Sequence, residues 1–307
     1  MEYTVYKLLF PQTVHFGQHT LESSEMTFQA DRLFSALCME AIKQGDNVFS
    51  QLLMAVQEGR ILFSDAFPYA DDELFLPKPL LHINQNRQED DVSKRKLFKK
   101  LAYLPLHSFA DYLAGTLQIE TMPKQDFGSF ATKVSVRLEP DEEAEPYRIG
   151  TFAFRENSGL YIIVGYGSKA DNLFVENLLE SLSFSGIGGR RSAGMGRFEL
   201  HSGKMPAAGM DRLTGEYKTY MTLSVSLPQD DELEMVMAGA RYLLEKRSGF
   251  VASTAYADEF HRKQDTYAFQ AGSCFLRQFK GQVKDVANGG RHPVYRCLKP
   301  LFMGLEK

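Results

Sequence analysis

Cysteine is scarce in this chain of 307 residues, and its few cysteines do not form a recognisable motif. Cys38, Cys274 and Cys297 stand far apart, and no C-x-x-C pair occurs. This spacing argues against a disulfide framework and against a cysteine-based zinc site. It is typical of a protein that works in a reducing environment, so we expect a cytoplasmic location.

Long apolar runs and an excess of basic charge are missing as well. The N-terminal MEYTVYKLLFPQ is much shorter than the roughly 18 residues of a membrane span, and it lacks the features of a signal peptide. We therefore expect no contact with a membrane. Because 35 Lys and Arg stand against 39 Asp and Glu, a nucleic-acid surface would have to concentrate basic residues on one face.

The overall composition is that of a folded protein. Hydrophobic residues make up 44% of the chain and charged residues 24%, which excludes disorder as the main state. The length suggests two domains or one large domain.

The first part of the chain predicts alternating strands and helices. Tyr3–Phe10 is rich in aromatic and aliphatic residues and predicts a strand. Apolar residues at helical spacing between Phe34 and Ile42 predict a helix that ends near Gly45. A second helix from about Val48 to Glu58 leads into the strand RILFSDAF. The next segment, FLPKPLLHIN, carries two prolines and predicts no central strand.

The middle of the chain predicts an insertion followed by hairpins. No strand-like alternation occurs from Asn84 to about Phe130, and it returns at ATKVSVRLEP. The runs YRIGTFAFRE and GLYIIVGYG flank Asn157-Ser158 and predict a hairpin. Five acidic residues between Glu139 and Glu145 predict a solvated hairpin tip.

The predicted elements combine into an α+β fold. Ser168 and Asp171 form a capping-box pattern at the start of a helix, and a glycine-rich loop then runs into a strand. The resulting βαββαβ order is that of a ferredoxin-like domain over about residues 1–205, with an insertion at about 84–150. MPAAGMDRLTG resembles a linker, and the alternating EYKTYMTLSVSLP opens a second unit over 216–307, which we expect to be a degenerate copy of the same fold.

The glycine-rich loop, FSGIGGRRSAGMGRFEL, is the strongest candidate for a binding site. It holds five glycines and three arginines: Gly186, Gly188, Gly189, Gly194, Gly196, Arg190, Arg191 and Arg197. Glycine lets the backbone approach a ligand, and guanidinium groups pair with phosphate oxygens, so the loop suits a sugar-phosphate backbone. It lacks the spacings of a P-loop and of a dinucleotide-binding fold. A structural turn with solvated arginines is the alternative.

Basic residues also collect in the C-terminal part. Residues 277–307 hold seven basic and two acidic side chains. KRSGF (Lys246–Phe250) and FHRKQD (Phe260–Asp265) mix basic and aromatic residues as RNA-binding grooves do. A solvated surface is the alternative for residues 277–307.

His15 is the candidate for acid–base chemistry, because it follows the first strand in TVHFG. No nucleophile or acid partner accompanies it, and the sequence shows no metal-ligand spacing. We therefore expect His15 to pack against the backbone or against RNA, and we expect no catalysis.

An ordered set of motifs carries a resemblance to a known family. They are HFG, TFQADRLFSALCMEA, FLPKP, the glycine-rich loop, LLEKRSGFV, HRKQDTYAFQAGSCF and KPLFMGLEK. Together they resemble the fourth-subunit family of the type III-A CRISPR (Csm) effector complex, within the RAMP superfamily. The resemblance implies two ferredoxin-like (RRM-like) domains, an inserted β-hairpin "thumb", and no catalysis or cofactor.

The same resemblance implies partners and a site. The protein would cap one end of the complex by holding the repeat-derived 5′ tag of the CRISPR RNA. It would also dock the large polymerase-cyclase subunit and the backbone RAMP subunit. The predicted RNA-contacting residues are His15, Phe16, Gly17, Asp31, Arg32, Ser35, Lys133, Arg137, Gly186, Gly188, Gly189, Arg190, Arg191, Ser192, Gly194, Gly196, Arg197, Lys246, Arg247, Ser248, Arg262 and Lys263.

Two other functions stay open at this point. One is a metal-independent, guide-processing endoribonuclease of the same superfamily with His15 as general base. The other is a structural scaffold that meets RNA only through its partners.

Overall fold

The computed structural model describes residues 1–17, 20–83, 92–137, 145–253, 255–259 and 261–306. Its strands are β1 (Glu2–Leu9), β2 (Phe16–Gly17), β3 (Ser24–Glu25), β4 (Ile61–Phe63), β5 (Phe67–Ala70), β6 (Glu73–Pro77), β7 (Tyr103–Pro105), β8 (Gly128–Arg137), β9 (Glu145–Phe154), β10 (Ser158–Tyr166), β11 (Glu199–Gly203), β12 (Thr219–Thr222), β13 (Leu244–Arg247), β14 (Thr266–Phe269), β15 (Cys274–Phe275), β16 (Gln282–Asp285), β17 (Tyr295–Leu298) and β18 (Phe302–Glu306). Its helices are α1 (Ala30–Gln44), α2 (Asp46–Gln57), α3 (Val92–Lys100), α4 (Phe109–Ala114), α5 (Lys169–Ser185), α6 (Ala207–Thr214) and α7 (Leu233–Met237).

The fold is a mixed α/β arrangement with antiparallel sheets. The largest sheet has seven strands in the order β11-β1-β10-β5-β6-β7, and β4 pairs with β10 beside this path. Along the chain, β1, α1, β5, β10, α5 and β11 follow one another as strand, helix, strand, strand, helix and strand. Helices α1 and α5 share one core with Tyr6, Leu8 and Ile162, so both helices cover the same face of the sheet.

The central strand β10 is buried on both faces. Because side chains alternate along a strand, Leu160, Ile162 and Val164 contribute to the helix-side core. Tyr161 and Ile163 belong instead to a second core with residues of β12 and β18. The C-terminal strands therefore pack directly against the N-terminal sheet.

The predicted hairpin between YRIGTFAFRE and GLYIIVGYG is wrong. Strand β9 pairs with β8 over ten residues, and β10 pairs with β1, β4 and β5. Asn157 does form a turn, with φ of 56°, but this turn directs the chain from the β8–β9 hairpin into the main sheet. All nine residues of β10 are buried, which places this strand at the centre of the sheet rather than in a projecting hairpin.

Three other segments differ from their predictions. The proline-containing FLPKP contributes β6, which lies between β5 and β7. Pro77 is tolerated because it is the last residue of the strand, beyond the Leu74 position where pairing with β5 stops. The predicted insertion contains β7, and the predicted linker contains α6, whose Leu213 is buried.

Other predicted elements are confirmed. Strand β1 and helices α1 and α2 lie within a few residues of their predicted bounds, and the backbone N–H of Gly45 caps α1. Ser168 caps α5 by accepting a hydrogen bond from the Asp171 N–H. Of the acidic hairpin tip, Glu139, Asp141, Glu142 and Glu143 lie outside the described residues.

Candidate nucleic-acid interface

A cleft of about 640 Å³ lies between the start of α1, the glycine-rich loop and the segment after β13. The N-terminal and C-terminal parts of the chain each supply one side of it. The predicted RNA-contacting residues that line it are Phe16, Gly17, Asp31, Arg32, Ser35, Gly186, Gly188, Arg191, Lys246, Arg247, Ser248, Arg262 and Lys263. The fold thus brings together motifs that are far apart in the sequence.

His15 lies behind the cleft and connects two elements that build it. Its backbone oxygen accepts a hydrogen bond from the Gly189 N–H at 2.9 Å. Its Nδ1 lies 2.6 Å from the carbonyl oxygen of Gly150 in β9. A carbonyl only accepts hydrogen bonds, so Nδ1 carries the proton in this contact. The side chain is 5% exposed, which agrees with a packing role that ties the glycine-rich loop to the β8–β9 hairpin.

Glycines of the loop are required by contacts inside the protein. Gly188 has φ of 97°, and a Cβ there would lie 2.7 Å from the His15 oxygen. A Cβ on Gly189 would lie 2.6 Å from Cδ2 of His15, and one on Gly196 would lie 2.0 Å from the oxygen of Ile187. Close packing against His15 and within the loop therefore explains these glycines, whatever the cleft binds.

The three arginines of the loop have different surroundings. Arg191 lines the cleft. Arg190 has a left-handed backbone, with φ of 59°, and its guanidinium lies 4.7 Å from the ring centroid of Tyr147 in β9. Arg197 is exposed and does not line the cleft. Of the other predicted loop residues, Gly189, Ser192, Gly194 and Gly196 also lie outside its lining.

A buried ion-pair cluster forms the floor of the cleft. Arg247 donates to both oxygens of Asp31, through Nε at 3.1 Å and Nη2 at 2.7 Å. Nε of Arg296 lies 3.6 Å from Asp31, and Nη1 of Arg247 lies 3.4 Å from Glu245. Burial alone would raise the pKa of Asp31, but the attraction and hydrogen bonds of Arg247 outweigh burial and lower it. The charge of Arg247 is thus paired inside the protein and joins α1 to β13.

The remaining cations of the cleft lie around this floor and differ in their exposure. Arg191 and Arg262 are partly or largely exposed, and Lys246 pairs with the exposed Asp265 at 2.7 Å. Arg32 donates to the oxygen of Gly17 at 2.8 Å and so holds β2 near α1. Burial is the main cause that lowers the pKa of Lys263. The cleft therefore presents positive charge from both of its sides.

The β8–β9 hairpin carries the remaining predicted residues. Lys133 is exposed and lies opposite Ile149, outside the cleft. Because side chains alternate along a strand, Lys133 and Ser135 share a face with Tyr147, which pairs with Ser135. The backbone of Arg137 ends β8, and its side chain is not among those described.

Several residues of the cleft are not among the predicted RNA-contacting residues. They are Glu25, Gln29, Glu245, Phe250 and Arg296, among others. Gln29 stands inside the motif TFQADRLF, and Phe250 closes KRSGF, so their motifs were recognised without their roles. Arg296 is buried, as is Lys299, so part of the basic C-terminal segment supports the core rather than the surface.

Neither a metal site nor a membrane helix occurs in the described part of the chain. There, no group of three or more His, Cys, Asp or Glu residues is placed to hold a metal ion. The helices described are all too short or too polar to cross a membrane.

Comparisons with known proteins agree across the chain. Residues 215–305 match the family described as the CRISPR Csm4 C-terminal domain. Proteins named "CRISPR system Cms protein Csm4" are 39% identical in Mycobacterium tuberculosis H37Rv and 38% identical in Streptococcus thermophilus. The first match covers 100% of this chain and 99% of the relative, and the second covers 100% of both.

Solved structures show the same fold. A chain in the crystal structure of a Csm3-Csm4 subcomplex of the type III-A CRISPR-Cas interference complex matches with a TM-score of 0.68 at 17% identity, over 100% of both chains. A chain in a Csm1-Csm4 cassette crystallised with pppApA matches with a TM-score of 0.64 at 20% identity, over 100% of this chain and 98% of the other. On the strength of the sequence identity along its whole length, the protein belongs to the Csm4 family.

Proposed function

We propose that the protein is a non-catalytic, RNA-binding subunit of a type III-A CRISPR (Csm) effector complex that acts in antiviral and anti-plasmid defence. In this proposal it binds and caps the repeat-derived 5′ tag of the CRISPR RNA. The observation that carries the proposal is the cleft, where the glycine-rich loop and two distant basic segments converge. Such a surface suits the phosphates of a single strand.

The proposal includes the finer architecture. The strand order β11-β1-β10-β5, with α1 and α5 on one face, supports a ferredoxin-like domain over residues 1–205. The three-stranded sheet β15-β12-β18 would belong to a degenerate second copy over 216–307. The β8–β9 hairpin is our candidate for the thumb, and β8 and the first part of β9 lie within the insertion proposed at about 84–150.

The proposed partners are the large polymerase-cyclase subunit and the backbone RAMP subunit, besides the CRISPR RNA. Support comes from the solved complexes of similar fold, which pair Csm4 with Csm1 and with Csm3. We place this assembly in the cytoplasm.

The absence of catalysis is part of the same proposal. His15 is buried, and its Nδ1–H is held by the Gly150 oxygen, so its ring supports the loop rather than facing the cleft. This arrangement supports a binding role over a guide-processing endoribonuclease.

The test compares two arginines of the same loop. Arg191→Ala removes a cation that lines the cleft, whereas Arg197→Ala removes an exposed cation outside it. We expect Arg191→Ala to weaken binding of a single-stranded tag RNA about tenfold and Arg197→Ala to leave it unchanged. Each phosphate contact should contribute roughly 0.7 to the slope of log affinity against log salt. A wild-type protein, alone and in its assembled complex, that neither binds nor protects the tag would contradict the proposal and favour a scaffold.

A further inference from the structure

The rim of the cleft carries an exposed aromatic ring on a hydrogen-bonded backbone. Phe250 is 57% exposed and lines the cleft. Hydrogen bonds on both sides of it join its segment to a neighbouring one, from the Val251 N–H to the His261 oxygen at 2.9 Å and from the Lys263 N–H to the Gly249 oxygen at 2.8 Å. Phe250 and Arg262 face each other in this short antiparallel bridge. The backbone that carries the ring is therefore held in place.

Arg262 adds a planar cation to the ring. Its guanidinium carbon lies 5.6 Å from the centroid of Phe250, which is within the range of a cation–π contact. A large apolar ring that remains exposed costs hydration free energy, and functional surfaces commonly account for such exposure. An aromatic ring beside an arginine is the combination on which unpaired bases stack in single-strand binding proteins.

We propose that Phe250, backed by Arg262, is the stacking platform for one unpaired base of the bound RNA. This inference rests on the proposed RNA-binding function and assigns different roles to two residues of the cleft. Arg191, on the opposite side, would contact phosphate and give affinity without regard to base. Phe250 would fix the position of one nucleotide, and it would accept any base because every base has a π face.

The platform is distinguishable from another exposed aromatic nearby. Tyr267 is 59% exposed and pairs with Lys246 in the neighbouring β13–β14 hairpin, but it does not line the cleft. Tyr267→Ala is therefore a matched control for Phe250→Ala. Both rings are largely exposed, so neither variant should lower the melting temperature by more than a few degrees.

The experiment is a chemical double-mutant cycle on the full-length protein. Tag RNA oligonucleotides, each with one abasic nucleotide, are titrated against the wild type, Phe250→Ala, Phe250→Tyr and Tyr267→Ala. In the wild type, we expect one abasic position to weaken binding about ten- to a hundredfold. Phe250→Ala should weaken binding of the unmodified RNA by a similar factor. In this variant, the abasic nucleotide at that position should cause no further loss of affinity. Phe250→Tyr and Tyr267→Ala should behave as the wild type.

Two other outcomes have separate meanings. If the wild type binds the RNA but every abasic nucleotide has the same effect with and without Phe250, the stacking platform is wrong and RNA binding stands. If the wild type does not bind the unmodified RNA at all, the proposed function itself fails.

Discussion

Asp31 and Arg247 lie 216 positions apart and form a two-point hydrogen-bonded ion pair beneath the cleft. Asp31 is in the first turn of α1, and Arg247 is the last residue of β13. Each residue is 8% exposed, so both charges are mostly withdrawn from water and depend on each other. The pair therefore fixes the C-terminal side of the cleft to the N-terminal side.

Removing one partner of this pair should destabilise the protein strongly. We expect Arg247→Ala or Asp31→Ala to lower the free energy of unfolding by about 3–5 kcal/mol, because the remaining charge stays buried without its partner. The double variant should lose much less than the sum of the two single losses. Urea denaturation measures all three values. The exposed pair of Lys246 and Asp265 supplies the control, since Lys246→Ala should leave the midpoint unchanged. Additive losses at 31 and 247 would show that the two residues act independently.

Asp65 should make stability depend on pH. Its Oδ1 accepts hydrogen bonds from the N–H groups of Ala30 at 2.8 Å and Val225 at 2.9 Å, which link α1 to the segment that follows β12. Burial raises the pKa of Asp65 to about 8, whereas an unfolded Asp titrates near 3.9. The folded state therefore retains a proton that the unfolded state has lost, and this group's contribution to stability falls as pH rises from about 4 to about 8.

Asp65→Asn tests this dependence because it mimics the neutral carboxyl and retains an oxygen that can accept both N–H groups. Chemical unfolding of the wild type and the variant across pH 4–8 gives two curves. The free energy of unfolding of the variant should exceed that of the wild type by an amount that grows as the pH rises. Parallel curves would mean that Asp65 does not change its protonation state over this range.

His15 should matter for stability and for the shape of the loop, but not for RNA cleavage. His15→Ala leaves the buried Gly150 oxygen without the imidazole donor, and we expect a loss of about 1–3 kcal/mol in unfolding free energy. His201→Ala is the control, because His201 is exposed in β11. Labelled guide precursor incubated with either variant or with the wild type should stay intact. Metal-independent cleavage that His15→Ala abolishes would support the endoribonuclease instead.

Local sequence patterns were sufficient for elements that depend on neighbouring residues. The cap of α5 needs only Ser168 and Asp171, and the end of α1 needs only the backbone freedom of Gly45. They were not sufficient for strand pairing. YRIGTFAFRE and GLYIIVGYG are both strands, yet their partners are set by burial on two faces of β10, which involves residues from the far end of the chain.

For the cleft, too, local patterns were sufficient for some features and not for contacts between distant residues. Glycines, arginines and mixed basic segments indicated its components, and most of those components do line it. The sequence could not show that Arg247 is paired with Asp31, because a buried and an exposed arginine look alike in a charge count. It also could not show that His15 fills the space beside Gly188 and Gly189, because this contact joins two loops that are far apart along the chain.

The pairing of β1 sets an order in which the chain can fold during synthesis. This strand ends at Leu9, but its two neighbours in the sheet begin only at Ser158 and Glu199. At roughly 5–20 residues per second, a ribosome needs on the order of ten seconds to supply the first of them. Throughout that interval both edges of β1 are available to other nascent chains, so the yield of active protein should depend on translation rate and on chaperones that bind extended apolar segments.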